Sequence, residues 1–98
     1  MEIAYHVQCQ PVAEEELVAL YLEAKQRGIT EVLESAARQI ELELKWHPLT
    51  FGEPHYRLLQ AGLVHVGYIH PLMVHYGVLE TQRRVLILRY RLLLKPSG

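Results

Sequence analysis

Six side chains in the C-terminal half of the sequence could together act on a phosphate group. They are His65, His75, Arg57, Arg89, Tyr90 and Arg91. An imidazole exchanges protons near neutral pH, so two of them could serve as a general acid and a general base. A guanidinium grips a phosphate through paired N–H groups, and a tyrosine ring can stack on a nucleobase. We therefore take the histidines as candidates for proton transfer and the other four as candidates for binding phosphate or nucleic acid.

The two histidines are predicted to face each other across a β-hairpin. Apolar residues of β-favouring type predict strands over 63–69 and 72–78, which turn around His70-Pro71. With the hairpin centred on His70, position 65 lies opposite position 75, and both imidazoles then share one sheet face with their Cβ atoms about 5 Å apart. The other face is predicted to point toward the helices and to carry Val64, Val66, Val74, Tyr76 and Val78.

Other interpretations of these residues stay open. The histidines could be polar groups on a solvated sheet face, or a metal-binding pair with His70 as a third ligand. No Asp or Cys lies near them in sequence, so we expect no metal and no cofactor. Arg83 and Arg84 fall in a predicted turn and are expected to be surface charge. Arg89 and Arg91 could be surface charge or phosphate ligands, and Tyr90 could also be a packing residue.

Charge is distributed unevenly along the chain. Of 98 residues, 10 are Lys or Arg and 11 are Asp or Glu, so the net charge of −1 excludes binding nucleic acid by bulk charge alone. Residues 1–53 contain ten acids against four bases, a balance of −6, and residues 54–98 contain six bases against one acid, a balance of +5. Positive potential should gather on the C-terminal elements. The length fits one domain over 1–98 with a modest core.

The order of the predicted elements indicates an α+β fold. Residues 3–7 suit a short strand, and apolar residues at helical spacing predict helices from 12 to 27 and from Thr30 to just before Pro48. Gly28 can end the first helix, and the short connection predicts an antiparallel helix hairpin. Strands follow over 63–69, 72–78 and 85–90. Helices first and strands afterwards favour a helix hairpin on one face of a small antiparallel sheet.

This arrangement resembles the RelE/ParE family of bacterial toxins from toxin–antitoxin pairs, over nearly the whole chain. The matching features are the opening strand, the Pro11-Val12-Ala13 helix entry, the apolar run from Val32 to Ile40, the segment Trp46-His47-Pro48-Leu49-Thr50-Phe51-Gly52-Glu53-Pro54, and the strand pair at 71–78 and 83–90. The resemblance implies that family's α+β fold. Its members include ribosome-dependent messenger-RNA endonucleases and inhibitors of DNA gyrase, so the fold alone does not decide the activity.

The functional residues implied by the resemblance match only in part. In the nuclease branch, basic residues on the first meander strand and an Arg entering the next strand hold the scissile phosphate. The corresponding positions here carry His65 or Val64, and Met73. The Arg89-Tyr90-Arg91 segment does resemble the basic residues with an aromatic neighbour that follow the last strand in the family. The nuclease interpretation therefore depends on this segment.

Three functions are compatible with these observations. The chain could be a toxin-like RNase of the plasmid-stabilisation type acting on ribosome-bound messenger RNA. It could be a toxin-like protein that blocks a target such as gyrase without cleaving RNA. It could also be a dimerising protein-interaction module that keeps the fold but lacks toxin activity.

Partners and location are expectations at this point. Five C-terminal leucines exceed what one sheet face can bury, which predicts association through the last strand, in a homodimer or with an antitoxin. They are Leu86, Leu88, Leu92, Leu93 and Leu94. The first residues do not resemble a secretory signal, no apolar run approaches about 18 residues, and the single Cys9 cannot form an internal disulfide. We expect a cytoplasmic protein with no membrane partner.

Overall fold

The computed structural model describes residues 3–94. Its helices are α1 (Pro11–Arg27), α2 (Thr30–Trp46) and the one-turn α3 (Pro48–Phe51), and its strands are β1 (His6–Cys9), β2 (Glu53–Leu58), β3 (Gly62–Ile69), β4 (Leu72–Leu79) and β5 (Arg84–Leu92). A 3-10 turn, Glu80–Gln82, joins β4 to β5. The α+β class predicted from the sequence is confirmed. Within the described residues, no helix is both long and apolar enough to cross a membrane.

The helix hairpin forms where the sequence predicts it, because local signals set both of its ends. Pro11 opens α1 at a position where its missing N–H is not needed. Gly28 closes α1 in the left-handed region at φ 72°, and its N–H donates to the carbonyls of Ala24 and Lys25. Thr30 begins α2 two residues after Gly28, and α2 ends at Trp46, just before Pro48. The helices contact each other, and a connection of two residues is typical of an antiparallel helix hairpin.

The five strands form one sheet in the order β1-β5-β4-β3-β2. The β3–β4 and β4–β5 pairs are antiparallel, as predicted, and β2 also pairs antiparallel with β3. β1 lies parallel to β5, with His6 opposite Arg84 and Cys9 opposite Ile87, which the sequence analysis did not predict. In the sequence, the helix hairpin lies between β1 and the other four strands, so a long connection joins β1 to the rest of the sheet. β2 was also not predicted, because Pro54 and a bulge at His55 interrupt its pattern.

One sheet face packs against the helices and forms the main core. The sheet contributes Leu72, Val74, Tyr76, Val85, Ile87 and Tyr90, and the helices contribute Ala13, Ala24, Leu33, Ala36, Ala37, Ile40 and Leu44. Tyr76 is the largest of the fully buried side chains. Its hydroxyl accepts the N–H of Gly52 at 2.8 Å and donates to the carbonyl of Pro48 at 2.6 Å, which ties α3 to the sheet.

We call the opposite sheet face the open face. Its rows are set by the strand register: Val64, Gly77 and Leu86 lie side by side, followed by Val66, His75 and Arg89, and then by Tyr68, Met73 and Arg91. The first row is buried, because Ala61 in the turn after β2 lies over Gly77. The residues of the other two rows are half-buried or exposed. The polar side chains therefore occupy the less covered part of the open face.

The C-terminal leucines are not the uncovered surplus that the sequence suggested. Leu86 is 9% exposed, Leu92 packs against the core, and Leu88 and Leu94 are half-buried. Leu93 is 46% exposed, and its N–H donates to the carbonyl of Pro71 at 2.7 Å. β5 is also an inner strand, paired with β1 on one side and β4 on the other. The C-terminal leucines therefore do not support association through β5.

Candidate nucleic-acid interface

The open face brings His75, Arg89 and Arg91 together on two neighbouring strands. His75 of β4 lies opposite Arg89 of β5, and Arg91 lies opposite Met73, one row away. This placement depends on a bulge, since Tyr76 pairs with Ile87 while His75 pairs with Arg89, leaving Leu88 as an extra residue in β5. Without the bulge, strict alternation would place Arg89 and Arg91 on the same face as Ile87, in the core.

His75 is held by a tyrosine from the sheet edge. The hydroxyl of Tyr56 in β2 and Nδ1 of His75 are hydrogen-bonded at 3.0 Å, with the two ring centroids 6.1 Å apart. The half-buried imidazole is thereby fixed through one nitrogen. When Nδ1 carries the hydrogen and donates it to the Tyr56 hydroxyl, the lone pair of Nε2 is free to accept a proton, which is the arrangement a general base needs.

The surroundings of His75 favour its neutral form. Partial burial lowers the pKa of His75 below its ordinary value of 6.5, and the positive charges of Arg91, Arg89 and His55 lower it further. The carboxylate of Glu16 acts in the opposite direction. At neutral pH the imidazole is therefore uncharged and able to accept a proton.

The two arginines differ in how they are held. Nε of Arg89 donates to Oε2 of Glu16 at 2.9 Å, and Nη2 of Arg89 forms an ion pair with the same oxygen at 2.8 Å. This pairing raises the pKa of Arg89, so its charge is permanent. Arg91 is exposed and takes part in no ion pair among residues 3–94. One guanidinium is thus fixed in orientation, and the other is available to reach a ligand.

His65 does not join His75, which corrects the predicted pairing. The loop between β3 and β4 has two residues, His70 and Pro71, so His65 lies opposite Tyr76 and not opposite position 75. The predicted pairing requires a loop with an odd number of residues, and the two-residue loop instead places His65 on the helix-covered face. There it is 6% exposed and stacks on Tyr76 with ring centroids 5.4 Å apart, while its Nδ1 has no hydrogen-bond partner among residues 3–94.

Tyr90 and Arg57 also lie away from the open face. Tyr90 is 3% exposed and pairs with Val74 in the core, so its ring has no free face for a nucleobase. Burial is the largest of the effects that raise the pKa of Tyr90. Arg57 is exposed on β2 opposite Leu63, one position from Tyr56, and alternation points it to the other side of the sheet. Neither residue contributes to the cluster around His75.

Arg83, in the β4–β5 turn, and Arg84, the first residue of β5, both contact the N-terminal part of the chain. Arg83 donates to the carbonyl of Ile3 at 3.4 Å, and its guanidinium lies 5.2 Å from the centre of the Tyr5 ring. Arg84 donates to the side chains of Gln8 and Gln82. Both interactions fit the expected surface role of this pair and leave Arg89 and Arg91 as the arginines nearest His75.

Sequence reasoning missed Tyr56 and Glu16. Tyr56 went unnoticed because β2 was not recognised as a strand, although a Tyr between His55 and Arg57 was a visible signal. Glu16 is one of three consecutive glutamates, and its partner Arg89 lies 73 residues away in the chain. No local pattern distinguishes Glu16 from Glu14 or Glu15. Only the packing of α1 against β5 does so.

The remaining polar clusters are less suited to the same chemistry. A cavity of about 520 Å³ lies between β1 and the helix hairpin, lined in part by Cys9, Glu14, Glu41 and Lys45. Burial raises the pKa of the Cys9 thiol to about 11, so the thiol stays protonated and weakly reactive. Across residues 3–94, no three His, Cys, Asp or Glu side chains are grouped closely enough to hold a metal ion.

Comparison with known proteins supports the fold. No family model matches the sequence, and no curated protein matches it. The structure is similar to a chain in the crystal structure of the toxin–antitoxin complex RelBE2 from Mycobacterium tuberculosis, with a TM-score of 0.67, 22% sequence identity and 92% of each chain covered. The RelE-like resemblance predicted from the sequence is thus confirmed at the level of the fold.

Proposed function

We propose that this chain is a toxin-like protein that binds RNA on the open face and cleaves it with His75 as the proton-transfer group. The observation that carries the proposal is the arrangement of His75, held by Tyr56 on one side and facing Arg89 on the other. The similarity to a chain of a toxin–antitoxin complex supports the toxin-like role. The same similarity supports an antitoxin protein as the partner that restrains it.

The proposed mechanism uses no metal. Nε2 of neutral His75 accepts the proton of a ribose 2′-hydroxyl, which attacks the adjacent phosphorus. Arg89 and Arg91 balance the negative charge that builds on the phosphorane oxygens. The imidazolium then gives the proton to the departing 5′-oxygen, and the products are a 2′,3′-cyclic phosphate and a free 5′-hydroxyl. The low pKa of His75 suits the first of these steps.

The test compares wild type with His75→Ala and Arg91→Ala, using growth arrest on expression and cleavage of ribosome-bound messenger RNA. We expect each substitution to relieve arrest and to lower cleavage by about 10²-fold, as the loss of an acid–base group or a charge on the transition state does. Arg84→Ala is the matched control, because it removes an arginine from the other end of the same strand. It should leave cleavage within about twofold.

Wild-type expression with neither arrest nor cleavage would contradict the nuclease proposal. Equal losses in Arg84→Ala and Arg91→Ala would also contradict it, since the effect would then follow total charge and not nearness to His75. Arg57→Ala adds a further check. If Arg57 binds phosphate from the far side of β2, its loss will weaken RNA binding, whereas our assignment leaves binding unchanged.

A second candidate function is target binding without cleavage. The observation that favours it is Met73, which stands on the open face where the family resemblance implies an arginine. In this alternative the chain causes arrest by occupying its target, as expected for an inhibitor of gyrase. Growth arrest that persists in His75→Ala, with no RNA cleavage by either protein, would identify this function.

A further inference from the structure

Glu16 contacts the candidate site from outside the sheet. It lies on α1, and α1 packs along β5 beyond the point where β1 ends at Cys9. Its Oε2 accepts a hydrogen bond from Nε of Arg89 and forms an ion pair with Nη2, and its Oε1 accepts the backbone N–H of Tyr90 at 3.1 Å. The Glu16 side chain is only 20% exposed, compared with 42% for Arg89. Glu16 therefore contacts β5 in two ways, through an ion pair with Arg89 and through a hydrogen bond from the backbone N–H of Tyr90.

The geometry leaves one side of the Arg89 guanidinium unused by Glu16. A guanidinium has two forks of parallel N–H groups, one formed by Nε and Nη2 and the other by Nη1 and Nη2. Glu16 takes the first fork. The second fork can still bind a phosphate through two hydrogen bonds, and its direction is set by the first. Holding a long side chain in place also removes the entropy cost of ordering it when a ligand binds.

We propose that Glu16 is a positioning residue that orients Arg89 so that its free fork faces the phosphate bound beside His75. This inference rests on the proposed function, because it assigns a role to Glu16 in that same reaction. The alternative is that Glu16 competes with phosphate for Arg89 and restrains activity. The two roles predict opposite effects when the carboxylate is removed.

Glu16 also influences the protonation of His75. The charged or titratable groups around His75 are Tyr56 and His55 from β2, Arg89 and Arg91 from β5, and Glu16 from α1. Glu16 is the only carboxylate whose charge raises the pKa of His75 among the described residues. Its removal should therefore lower that pKa further, because the positive charges would no longer be opposed.

The experiment uses Glu16→Gln, which keeps an oxygen to accept the Tyr90 N–H but removes the charge. Glu15→Gln, at an exposed neighbouring position of α1, is the matched control. We expect Glu16→Gln to lower cleavage of ribosome-bound RNA by about tenfold or more, since small displacements of a catalytic charge have effects of this order. Glu16→Asp keeps the charge with a shorter reach and should recover part of the loss. Glu15→Gln should match wild type.

Two further measurements separate positioning from a purely structural role. An NMR titration of the His75 ring should show a lower pKa in Glu16→Gln than in wild type, and no change in Glu15→Gln. In an Arg89→Ala background, Glu16→Gln should cause almost no additional loss of cleavage, because its effect acts through Arg89. Urea unfolding of each variant shows whether it is folded under assay conditions.

The outcomes are distinct. If wild type cleaves RNA and Glu16→Gln cleaves it equally well or faster, Glu16 does not position Arg89 and only this inference fails. An undiminished Glu16→Gln effect in the Arg89→Ala background would overturn it as well. If wild type neither binds a single-stranded RNA oligonucleotide nor cleaves RNA, the proposed function fails, and this inference fails with it.

Discussion

Replacing Tyr76 with Phe should destabilise the fold by an amount that its two buried hydrogen bonds determine. The hydroxyl bridges the N–H of Gly52 and the carbonyl of Pro48 in a fully buried position. Tyr76→Phe keeps the ring and its stacking on Phe51, so no large cavity is created. It leaves one buried donor and one buried acceptor without a partner, and each such group costs about 1–3 kcal/mol.

The expected loss is about 2–4 kcal/mol of the free energy of unfolding. A chain of this size has a total stability of about 5–15 kcal/mol, so the variant should still fold. In a urea titration with an m-value of about 1.5 kcal/mol per M, the midpoint should fall by about 2 M. Gly52 immediately precedes β2, which carries Tyr56, so RNA cleavage should also decrease at temperatures where the variant remains folded.

The matched control is Tyr68→Phe. The Tyr68 hydroxyl donates to the carbonyl of Leu93 at 3.0 Å, but the bond is exposed and water can replace it. Its loss should cost less than about 1 kcal/mol. If the two variants lose the same stability at unchanged m-values, the bridge between Pro48 and Gly52 does not stabilise the fold as argued here.

Four other predictions concern single residues of the sheet. Gly77→Ala should cost about 2–3 kcal/mol in urea unfolding, because the added Cβ would lie 2.5 Å from the Ala61 carbonyl oxygen; unchanged stability would mean that Ala61 moves aside freely. His65→Phe should keep or raise stability and leave RNA cleavage unchanged, because Nδ1 of His65 is buried with no hydrogen-bond partner in the described part of the chain; a loss of cleavage would show that His65 belongs to the site. The fold lowers the pKa of His75, so protonation of this side chain favours the unfolded state. The contribution of His75 to the free energy of unfolding is therefore greatest above pH 6.5 and decreases as the pH falls below that value. Arg91→Ala should raise the pKa of His75 in an NMR titration, and an unchanged value would show that the two side chains do not interact.

Local patterns in the sequence predict much of the fold. The helical spacing of apolar residues, Pro11 at the start of α1 and Gly28 at its end act within a few residues, so the helix hairpin could be placed almost to the residue. The single change from helical to alternating spacing likewise predicts the antiparallel strands β3, β4 and β5. These features depend on backbone conformation and nearby contacts, which a linear pattern records.

The faces of the sheet were decided by single-residue differences in register. A two-residue turn at His70-Pro71 replaced the assumed odd turn and separated His65 from His75. The extra residue Leu88 turned Arg89 toward His75 and Tyr90 into the core. Because side chains alternate along a strand, each shift by one residue exchanges the two faces completely. The apolar positions 85 and 87, followed by 90 and 92, carried a signal of the bulge that alternation alone did not reveal.

The sequence by itself determined the α+β class and the helix hairpin, and it identified His75, Arg89 and Arg91 as candidate site residues. Only the tertiary structure decided the parallel pairing of β1 with β5, the hydrogen bond between Tyr56 and His75, and the contact of Glu16 with Arg89. The physical reason is separation along the chain. These contacts join residues 19 to 78 positions apart in the chain, so their formation depends on how whole elements pack, whereas a helix cap or an apolar stripe depends on neighbours a few residues away.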